Sequence, residues 1–399
     1  MSPNPTLPTQ VTFDNTKVAV LYKSDQDLRK SYWLFTSINL PWLTDIGTKL
    51  VKFALKIKLP IQGILRKTIF DQFCGGETIE SCQSTIEQLA RYNVYTILDY
   101  SVEGETSRVG FDEATEEILR TIEAARTTDV LPFSVFKVSG IADINLLAKI
   151  QQNESLTDEE HVTYQRVYDR IDRLCQAAAQ AGSRILIDGE ESWIQDVIDK
   201  LAEEMMQKYN QDRVVVFNTY QLYQRETMAN LKKAFQQAAA HSYYLGAKLV
   251  RGAYMEKERE RAEELGYPDP IQPNKEATDT DYNKALLFCI NNKQRISIVC
   301  GSHNEYSNQY LTLLMEKHGL QPNDPRVYFA QLYGMSDNIS FNLAAAGYNV
   351  AKYVPYGPVQ LVMPYLFRRA EENTSVAGQS SRELRMVKQE LKRRNANSR

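Results

Sequence analysis

Short runs of β-branched and aromatic residues recur along the chain from about residue 93 onward. Each run is followed by a polar junction and then by a segment with helical periodicity, which often ends near a glycine. Eight runs fit this description, and they cover 93–100, 131–140, 184–189, 213–219, 247–252, 295–302, 326–331 and 348–355. Eight strand-then-helix units in one domain predict an α/β fold, a single (βα)8 barrel of the TIM type.

The first 75 residues follow a different pattern, in which turn-forming residues give way to short helical segments. We therefore divide the chain into an N-terminal helical arm, 1–75, and a barrel domain, 76–399. Between Lys49 and Lys67 the apolar positions are interleaved with basic ones, which predicts a basic amphipathic helix interrupted at Pro60. Two interpretations stay open: the arm packs on the barrel, which is the ordinary case, or it contacts a membrane surface. The C-terminal segment KRRNANSR is expected to be a loose charged tail.

The composition narrows the class of protein. With 399 residues, 43% of them apolar, the chain can bury one large core. Its 47 basic and 50 acidic residues give a net charge of -3, which offers no field that would gather nucleic acid. No run of about 18 apolar residues is present, and the N-terminus lacks the features of a secretory signal. A soluble or peripheral intracellular protein is therefore expected.

The cysteines predict neither a disulfide framework nor a metal site, because their number is odd and no CxxC pair occurs. They are expected to be buried thiols: Cys74, Cys82, Cys175, Cys289 and Cys300.

Polar residues follow most of the predicted strands. In a TIM-type barrel the loops after the strands converge on one face, where the chemistry takes place. Lys137 is the clearest case, since it interrupts an otherwise apolar run, and it is expected either to pair with Asp99 or Asp188 or to face an anionic ligand. The strand-end residues are Asp99, Lys137, Asp188, Asn218, Arg251, Tyr254, His303, Asn304, Gln331 and Tyr353.

Two further features belong to the same predicted face. Gly252 and Ala253 join a strand to a helix and are small enough for a planar ligand to approach the backbone. Arg368 and Arg369 begin the last barrel helix, with Glu372 one turn later. No GxGxxG, GxxxxGK[ST], HExxH or GxSxG motif is present. The residues alone thus indicate a barrel enzyme with a cationic mouth and do not name its reaction.

The segments KLVRGAY, GSHN, KYVPYGP and PYLFRRAEEN closely resemble the motifs of proline dehydrogenases, FAD-dependent barrel enzymes that also occur as one domain of bifunctional proline utilisation proteins. The resemblance runs in order from about residue 75 to 375. FNTYQLY, GYPDPIQPNKEATD and YFAQLYGMSDNISF are similar to the monofunctional, eukaryotic-type branch. Lys248 and Asn218 depart from the bacterial bifunctional pattern, which has an arginine and a glutamine there.

The resemblance implies roles for individual residues. Arg368 and Arg369 would bind a substrate carboxylate, with Glu372 orienting them. The catalytic set would be Lys137, Asp188, Lys248 and Tyr353. Lys137 would also close the substrate pocket, whose aromatic walls would be Tyr254, Tyr353 and Tyr365. The FAD contacts would be Asn218, Lys248, Val250, Arg251, Gly252, Ala253, Ser302, His303, Asn304 and Gln331.

The implied reaction is oxidation of L-proline to 1-pyrroline-5-carboxylate by hydride transfer to flavin N5, the first step of proline catabolism to glutamate. A membrane quinone would reoxidise the flavin, and pathway logic suggests a pyrroline-5-carboxylate dehydrogenase as a partner. The expected location is the bacterial cytoplasm, peripheral at the inner membrane, or the mitochondrion if the source is eukaryotic, although no presequence is evident.

Three rivals are weighed against this interpretation. A hydroxyproline dehydrogenase of the same family would carry a serine at the position of Tyr353, whose ring would crowd a hydroxyl group. A flavin-dependent folate reductase on a similar barrel would not need paired arginines. A non-catalytic binding protein on this scaffold would bind no flavin.

Overall fold

Eight parallel strands form a closed barrel in sequence order in the computed structural model, which describes residues 11–38, 62–101, 106–375 and 379–397. Strand β1 pairs with β8 in register from Val94 with Val350 to Tyr100 with Tyr356, and this closes the barrel. The strands are β1 Val94–Tyr100, β2 Phe133–Phe136, β3 Arg184–Ile187, β4 Val216–Gln221, β5 Leu245–Val250, β6 Ile296–Gly301, β7 Val327–Leu332 and β8 Val350–Tyr356. The predicted eight-stranded parallel barrel is confirmed.

Some strand boundaries differ from the prediction. Strand β2 ends at Phe136, so Lys137 lies directly after the strand and precedes a 3-10 turn, Val138–Gly140. The predicted strand over 131–140 was too long because the ladder to β3 stops at the Phe136–Ile187 pair. Strand β5 ends at Val250, before Gly252, whose positive φ of 141° takes the chain out of the ladder.

Helices surround the barrel and extend to both ends of the described chain. Asn304 caps one of them by accepting the amide hydrogen of Ser307 at 3.0 Å. The α-helices are α1 Thr16–Ala19, α2 Asp25–Ile38, α3 Gln62–Leu65, α4 Asp71–Phe73, α5 Gln83–Ala90, α6 Arg108–Arg126, α7 Ile144–Gln151, α8 Asp158–Gln180, α9 Ser192–Tyr209, α10 Thr227–Ala240, α11 Met255–Leu265, α12 Lys275–Asn291, α13 Glu305–Lys317, α14 Asp337–Ala345, α15 Met363–Ser375 and α16 Gln379–Asn397. None of those in the described ranges is long and apolar enough to cross a membrane.

The inside of the barrel is filled with side chains. Phe133 meets Phe217 and Tyr328 edge to face, with ring centroids 5.5 and 4.9 Å apart. Arg184, the first residue of β3, covers these rings at the amino end of the barrel. Its guanidinium carbon lies 5.4 Å from the centre of the Phe133 ring and 5.1 Å from that of Tyr328. Because side chains alternate along a strand, a second and larger apolar layer packs between the strands and the helices. The packed interior leaves ligand chemistry to the carboxyl ends of the strands.

The two ends of the chain pack on each other. Val20 and Leu28 of the arm form a buried cluster with Met386 and Val387 of α16. Arg394 of α16 donates to the carbonyl oxygen of Val20 at 3.1 Å. The prediction of a loose C-terminal tail is therefore wrong as far as residue 397, since KRRNAN is the last part of a helix that packs on α2.

The described parts of the arm, 11–38 and 62–75, contain helices and turns. Most of the predicted basic amphipathic helix between Lys49 and Lys67 lies outside the described residues. Phe35, Phe70 and Phe73 of the arm are buried in one cluster with Tyr365 and Leu366 of α15 and with Val362 just before it. The arm therefore supports the outer side of the helix that carries the paired arginines.

The five cysteines are all buried and form no disulfide, as the sequence predicts. Burial raises the pKa of each thiol. These thiols therefore stay protonated at neutral pH.

Candidate active site

Asp188 lies between two lysines at the carboxyl end of the barrel. Its Oδ1 is 2.5 Å from the Lys248 Nζ, and its Oδ2 is 3.7 Å from the Lys137 Nζ. All three side chains are largely buried. Of the two partners predicted for Lys137, the structure selects Asp188, whereas Asp99 accepts a hydrogen bond from the Ser101 hydroxyl at 2.6 Å. Two ammonium groups around one carboxylate give this three-residue cluster a net positive charge, which suits an anionic ligand.

Tyr353 covers the same cluster from β8. The Lys248 Nζ lies 4.5 Å from the centroid of its ring, within cation–π range. Burial, reinforced by the charges of Asp188 and Asp99, raises the pKa of Tyr353 well above its ordinary value. The phenol is therefore neutral. The four residues predicted as catalytic are brought together because two of them lie directly after β2 and β3 and two lie on β5 and β8, each in phase with the inward-facing residues of its strand.

The β5 loop combines a fixed cation with an open backbone. Arg251 donates from Nε to Asp279 at 2.7 Å and from its two terminal nitrogens to Ser302 at 2.8 Å and Ser307 at 2.9 Å. These bonds make Arg251 a brace between the β5 and β6 loops, and its contact with a flavin stays a prediction. Gly252 and Ala253 next to it are exposed, as a planar ligand approaching the backbone would require.

Gly252 could not be replaced without strain. A Cβ there would lie 2.3 Å from the ring of Tyr223, and its φ is 141°. The glycine is thus required by the turn itself, independently of any ligand. Val250, two residues earlier, accepts the Leu222 amide hydrogen at 2.9 Å through its carbonyl oxygen.

The β6 loop carries Ser302, His303 and Asn304. The His303 Nδ1 lies 2.8 Å from the Ser336 Oγ. Burial, together with the positive charges of Lys352, Arg369 and Arg251, lowers the pKa of His303 to about 3. The imidazole is therefore neutral at physiological pH. The side chain of Asn304 is used to cap α13.

Two predicted cofactor contacts point away from the barrel interior. The Asn218 amide donates to Asp199 of α9 at 2.8 Å. The Gln331 amide donates to the Ser302 carbonyl oxygen at 3.1 Å and accepts the Ser340 hydroxyl at 2.9 Å. Both residues lie one position out of phase with the inward-facing residues of their strands, so their side chains enter the helix layer. This geometry does not support direct flavin contacts by these two side chains.

The α15 arginines approach the mouth from above. Arg369 is buried, with its guanidinium carbon 5.0 Å from the Tyr365 ring, and its charge acts on His303. Burial raises the pKa of Tyr254, the residue before α11, and the positive charges of Lys137 and Arg368 partly offset this increase. The structure thus brings both arginines, Tyr254, Tyr365 and Lys137 to one face, while the Glu372 side chain lies outside the described residues.

Glu190 is a site residue that the sequence reasoning missed. It is buried in the loop after β3, and both the amide and the hydroxyl of Ser139 donate to its carboxylate. Burial raises its pKa to about 7. The signal was present, since the segment IDGEES places two glutamates directly after a predicted strand.

Lys352 was missed as well. It interrupts the apolar run NVAKYV exactly as Lys137 interrupts its own strand, and it is fully buried in an ion pair with Asp337 at 2.9 Å. The same reasoning, applied to β8, would have found it.

Comparison with known proteins agrees with the resemblance in the motifs. A profile of the family described as Proline dehydrogenase matches residues 82–382. Proline dehydrogenase 1, mitochondrial, of Dictyostelium discoideum is 32% identical over 431 residues, which cover 96% of this chain and 75% of that protein. Carbapenem antibiotics biosynthesis protein CarD of Pectobacterium carotovorum subsp. carotovorum is 35% identical over 333 residues, covering 84% of this chain and 86% of that one.

A solved structure shows the same fold. Proline utilization A (PutA) from Bdellovibrio bacteriovorus, inactivated by N-propargylglycine, superposes with a TM-score of 0.71 at 18% identity. The superposition covers 91% of this chain, and the chain spans only 37% of that larger protein. With the match to the family profile over most of its length, the chain belongs to the proline dehydrogenase family of enzymes.

Proposed function

We propose that this chain oxidises L-proline to 1-pyrroline-5-carboxylate with FAD as its bound cofactor. The observation that carries the proposal is the cationic mouth: Lys137 and Lys248 share Asp188 at the end of the barrel, and α15 brings Arg368 and Arg369 to the same face. An enzyme that binds a small amino acid through its carboxylate uses cationic side chains at the binding site, as this mouth provides.

The substrate carboxylate would be bound by the paired arginines. Guanidinium groups bind carboxylates through two parallel hydrogen bonds, which fixes orientation as well as position. Tyr254 and Tyr365 lie beside these arginines, and Tyr353 lies on Lys248. Three neutral aromatic side chains around the cations would enclose the apolar ring carbons of proline and exclude water.

The cluster would also favour the reactive form of the substrate. Proline can lose a hydride only when its ring nitrogen is uncharged. The positive charges of Lys137, Lys248 and the two arginines disfavour a protonated amine close to them. Carboxylate binding and deprotonation of the amine would therefore be promoted by the same residues.

The residues at the mouth fit FAD. The exposed backbone at Gly252 and Ala253 would leave room for a planar ring, Lys248 would supply a cation, and His303 would supply a neutral donor or acceptor. FAD, when bound, supplies the two-electron acceptor for the oxidation. The protein contributes alignment and electrostatics.

The electron acceptor and the setting of the protein are also proposals. We propose that a membrane quinone reoxidises the flavin and that the protein meets the membrane peripherally. Support comes from Trp33 and Leu21 in the arm, which are 68% and 50% exposed, and from the exposed Lys30 beside Trp33. Relatives are named mitochondrial, and the solved PutA neighbours include a protein described as bifunctional, in line with a pyrroline-5-carboxylate dehydrogenase as the next enzyme.

The test is an anaerobic flavin spectrum of the purified chain, recorded before and after addition of L-proline and, separately, of trans-4-hydroxy-L-proline. We expect proline to bleach the oxidised flavin band and hydroxyproline to bleach it weakly, because the buried Tyr353 ring leaves little room for a ring hydroxyl. Equal bleaching by both would favour a hydroxyproline dehydrogenase. A bound flavin that neither reduces would overturn the substrate assignment, and a chain that binds no flavin would overturn the cofactor as well.

A further inference from the structure

The loop between β7 and α14, 333–336, is held by both ends of the chain. From the arm, the Gln72 side chain donates to the Gly334 carbonyl oxygen at 2.9 Å and accepts the Ser31 hydroxyl of α2 at 3.1 Å. From α16, the Glu383 carboxylate accepts the Ser336 amide hydrogen at 2.6 Å. Residues that are distant in sequence thus converge on one short loop at the carboxyl end of the barrel.

A buried charge cluster lies directly beneath this loop. Asp337 is 2.9 Å from the Lys352 Nζ and 3.0 Å from the Lys23 Nζ, and it accepts the Tyr22 hydroxyl at 2.7 Å. Lys352 also donates to the Met335 carbonyl oxygen at 2.5 Å. Buried charges are costly unless partners surround them, so this cluster fixes the relative positions of β8, α14 and the arm.

Ser336 has an unusual conformation and an unusual partner. Its φ is 51°, in the left-handed region that residues other than glycine rarely adopt. It occupies the N-cap position of α14, where a serine hydroxyl normally accepts an amide hydrogen of the first turn, but its side chain makes no such bond. Its hydroxyl instead lies 2.8 Å from the Nδ1 of His303 on the β6 loop.

These contacts form a continuous path from α16 to the mouth of the barrel. Glu383 fixes the Ser336 backbone, the Asp337–Lys352 pair fixes the residue that follows, and the Ser336 hydroxyl orients the imidazole of His303. With Nδ1 directed at Ser336, Nε2 is the ring nitrogen that can meet a ligand. His303 is half-buried and lies two residues after the end of β6, which places its ring at the mouth of the barrel and not in the core.

We propose that Ser336 and Glu383 are positioning residues for the cofactor, which they serve by holding His303 in one orientation. The C-terminal helix is then part of the cofactor site, although no residue of α16 is expected to touch the cofactor. The inference rests on the proposed function, because it requires that His303 meets FAD. Loss of either contact would leave the imidazole free to rotate, and the cofactor would lose an oriented hydrogen-bonding group.

The experiment compares two pairs of variants in the full-length chain. Glu383→Gln is matched by Glu390→Gln, because Glu390 is also buried on α16 but pairs with Arg393 and Arg394, far from the loop. Ser336→Ala is matched by Thr121→Val, because Thr121 has a buried hydroxyl that bonds the Ile118 carbonyl oxygen on α6, a helix that packs on β1 and β2. The readouts are the Kd for FAD, obtained by titrating the flavin-free protein, together with the Tm and the KM for proline.

We expect Ser336→Ala and Glu383→Gln each to raise the Kd for FAD by about tenfold, the effect of losing one charge-assisted or buried hydrogen bond. Each control variant should lower the Tm about as much as the variant that it matches, but it should leave the Kd for FAD within about twofold of the wild-type value. The KM for proline should change little, because the arginines and Lys137 are untouched.

Two results would overturn the proposal. An unchanged Kd in Ser336→Ala would show that His303 needs no such support, and this variant remains informative if Glu383→Gln fails to fold. A Kd that rises equally in each variant and its control would show a general structural effect. The two proposals can fail separately. If the wild-type chain binds FAD and is bleached by proline but Ser336→Ala has the wild-type Kd, only this inference is overturned. If the wild-type chain has no affinity for FAD, the proposed function is overturned as well.

Discussion

Asp188 is the residue on which the charge balance of the mouth depends. It is the carboxylate shared by Lys248 and Lys137, and its removal would leave a buried ammonium group without its partner. Breaking a buried ion pair on one side costs several kcal/mol, whereas replacing both partners with apolar groups is often neutral. The stability of the barrel mouth should therefore depend on the pair and not on the single residue.

We predict that Asp188→Asn lowers the free energy of unfolding by about 3 kcal/mol and that adding Lys248→Met restores most of this loss. Urea denaturation of the flavin-free chain measures both effects without a contribution from cofactor binding. If the double variant were less stable than Asp188→Asn, the pair would not be the origin of the loss. Neither variant is expected to oxidise proline.

Glu190 should make stability depend on pH near neutrality. Burial raises its pKa from 4.5 to about 7, so the folded chain binds this proton more tightly than the unfolded chain does. The contribution of Glu190 to the free energy of unfolding is therefore complete below pH 4.5. About 3 kcal/mol of it is lost as the pH rises towards 7. A carboxylate with a lowered pKa would show the opposite trend.

We predict that Glu190→Gln gains stability relative to the wild type between pH 4.5 and 7.5, by about 3 kcal/mol, because glutamine has no proton to lose. Denaturation curves measured across this range provide the test. Glu113→Gln, at an exposed position on α6, is the control and should follow the wild-type pH profile. Parallel profiles for Glu190→Gln and the wild type would mean that the pKa of Glu190 is the same in the folded and unfolded chains.

At the scale of elements, the turn from β5 to α11 depends on Gly252. A Cβ would collide with the Tyr223 ring, and the φ of 141° is unfavourable for any other residue. Gly266, which ends α11 in the left-handed region with φ 70°, provides the comparison because nothing lies within 4 Å of its added Cβ.

We predict that Gly252→Ala lowers the free energy of unfolding by about 3 kcal/mol and weakens FAD binding, whereas Gly266→Ala costs about 1 kcal/mol and leaves FAD binding unchanged. Thermal denaturation and FAD titration measure the two effects. Equal losses at both glycines would show that left-handed strain alone matters and that the contact with Tyr223 relaxes freely.

The elements could be predicted from sequence where the pattern was local. The eight apolar runs identified the eight barrel strands, and polar strand ends placed Lys137 and Asp188, which form an ion pair, on one face of the barrel. The predictions were wrong where a distant partner decides the outcome. KRRNAN is helical because α2, more than 340 residues earlier, covers one face of it, and no local pattern contains that information.

Side-chain direction was the second limit. Asn218 and Gln331 stand at strand ends, but one position of phase decides whether a side chain enters the mouth or the helix layer. The phase could have been counted from an inward-facing neighbour such as Phe217. It was not evident from polarity alone, because the helix layer of this protein contains its own polar contacts, to Asp199 and Ser340.

At the scale of the whole molecule, the net charge conceals a strong asymmetry. The chain as a whole carries -3, but five cationic side chains gather at the carboxyl end of the barrel: Lys137, Lys248, Arg251, Arg368 and Arg369. Such a concentration attracts small anions locally without making the protein a general polyanion binder. The small net charge of the whole chain and its local cluster of cations therefore lead to different predictions. The composition argues against nucleic-acid binding, whereas the strand ends predict a site for a carboxylate.

The two ends of the chain form one cooperative unit on the outside of the barrel. Met386 and Val387 of α16 are buried against Val20 and Leu28, and Arg394 bonds the Val20 carbonyl oxygen. Each helix covers part of the apolar face of the other, so opening of one must expose that part of the other. The barrel strands, which are held by continuous ladders, need not open with them.

Met386→Ala removes buried contacts of α16 worth about 2 kcal/mol. We therefore predict that it raises amide hydrogen exchange in α2, Asp25–Ile38, as much as in α16 itself. Exchange in the barrel strands should rise far less. Hydrogen exchange followed by mass spectrometry resolves these segments. Met315→Ala on α13, a buried methionine in the barrel's own apolar layer, should instead raise exchange around β6 and leave α2 unchanged. Faster exchange confined to α16 would show that the arm is held by the barrel alone, and the C-terminal helix would then be an attachment to the fold and not one of its supports.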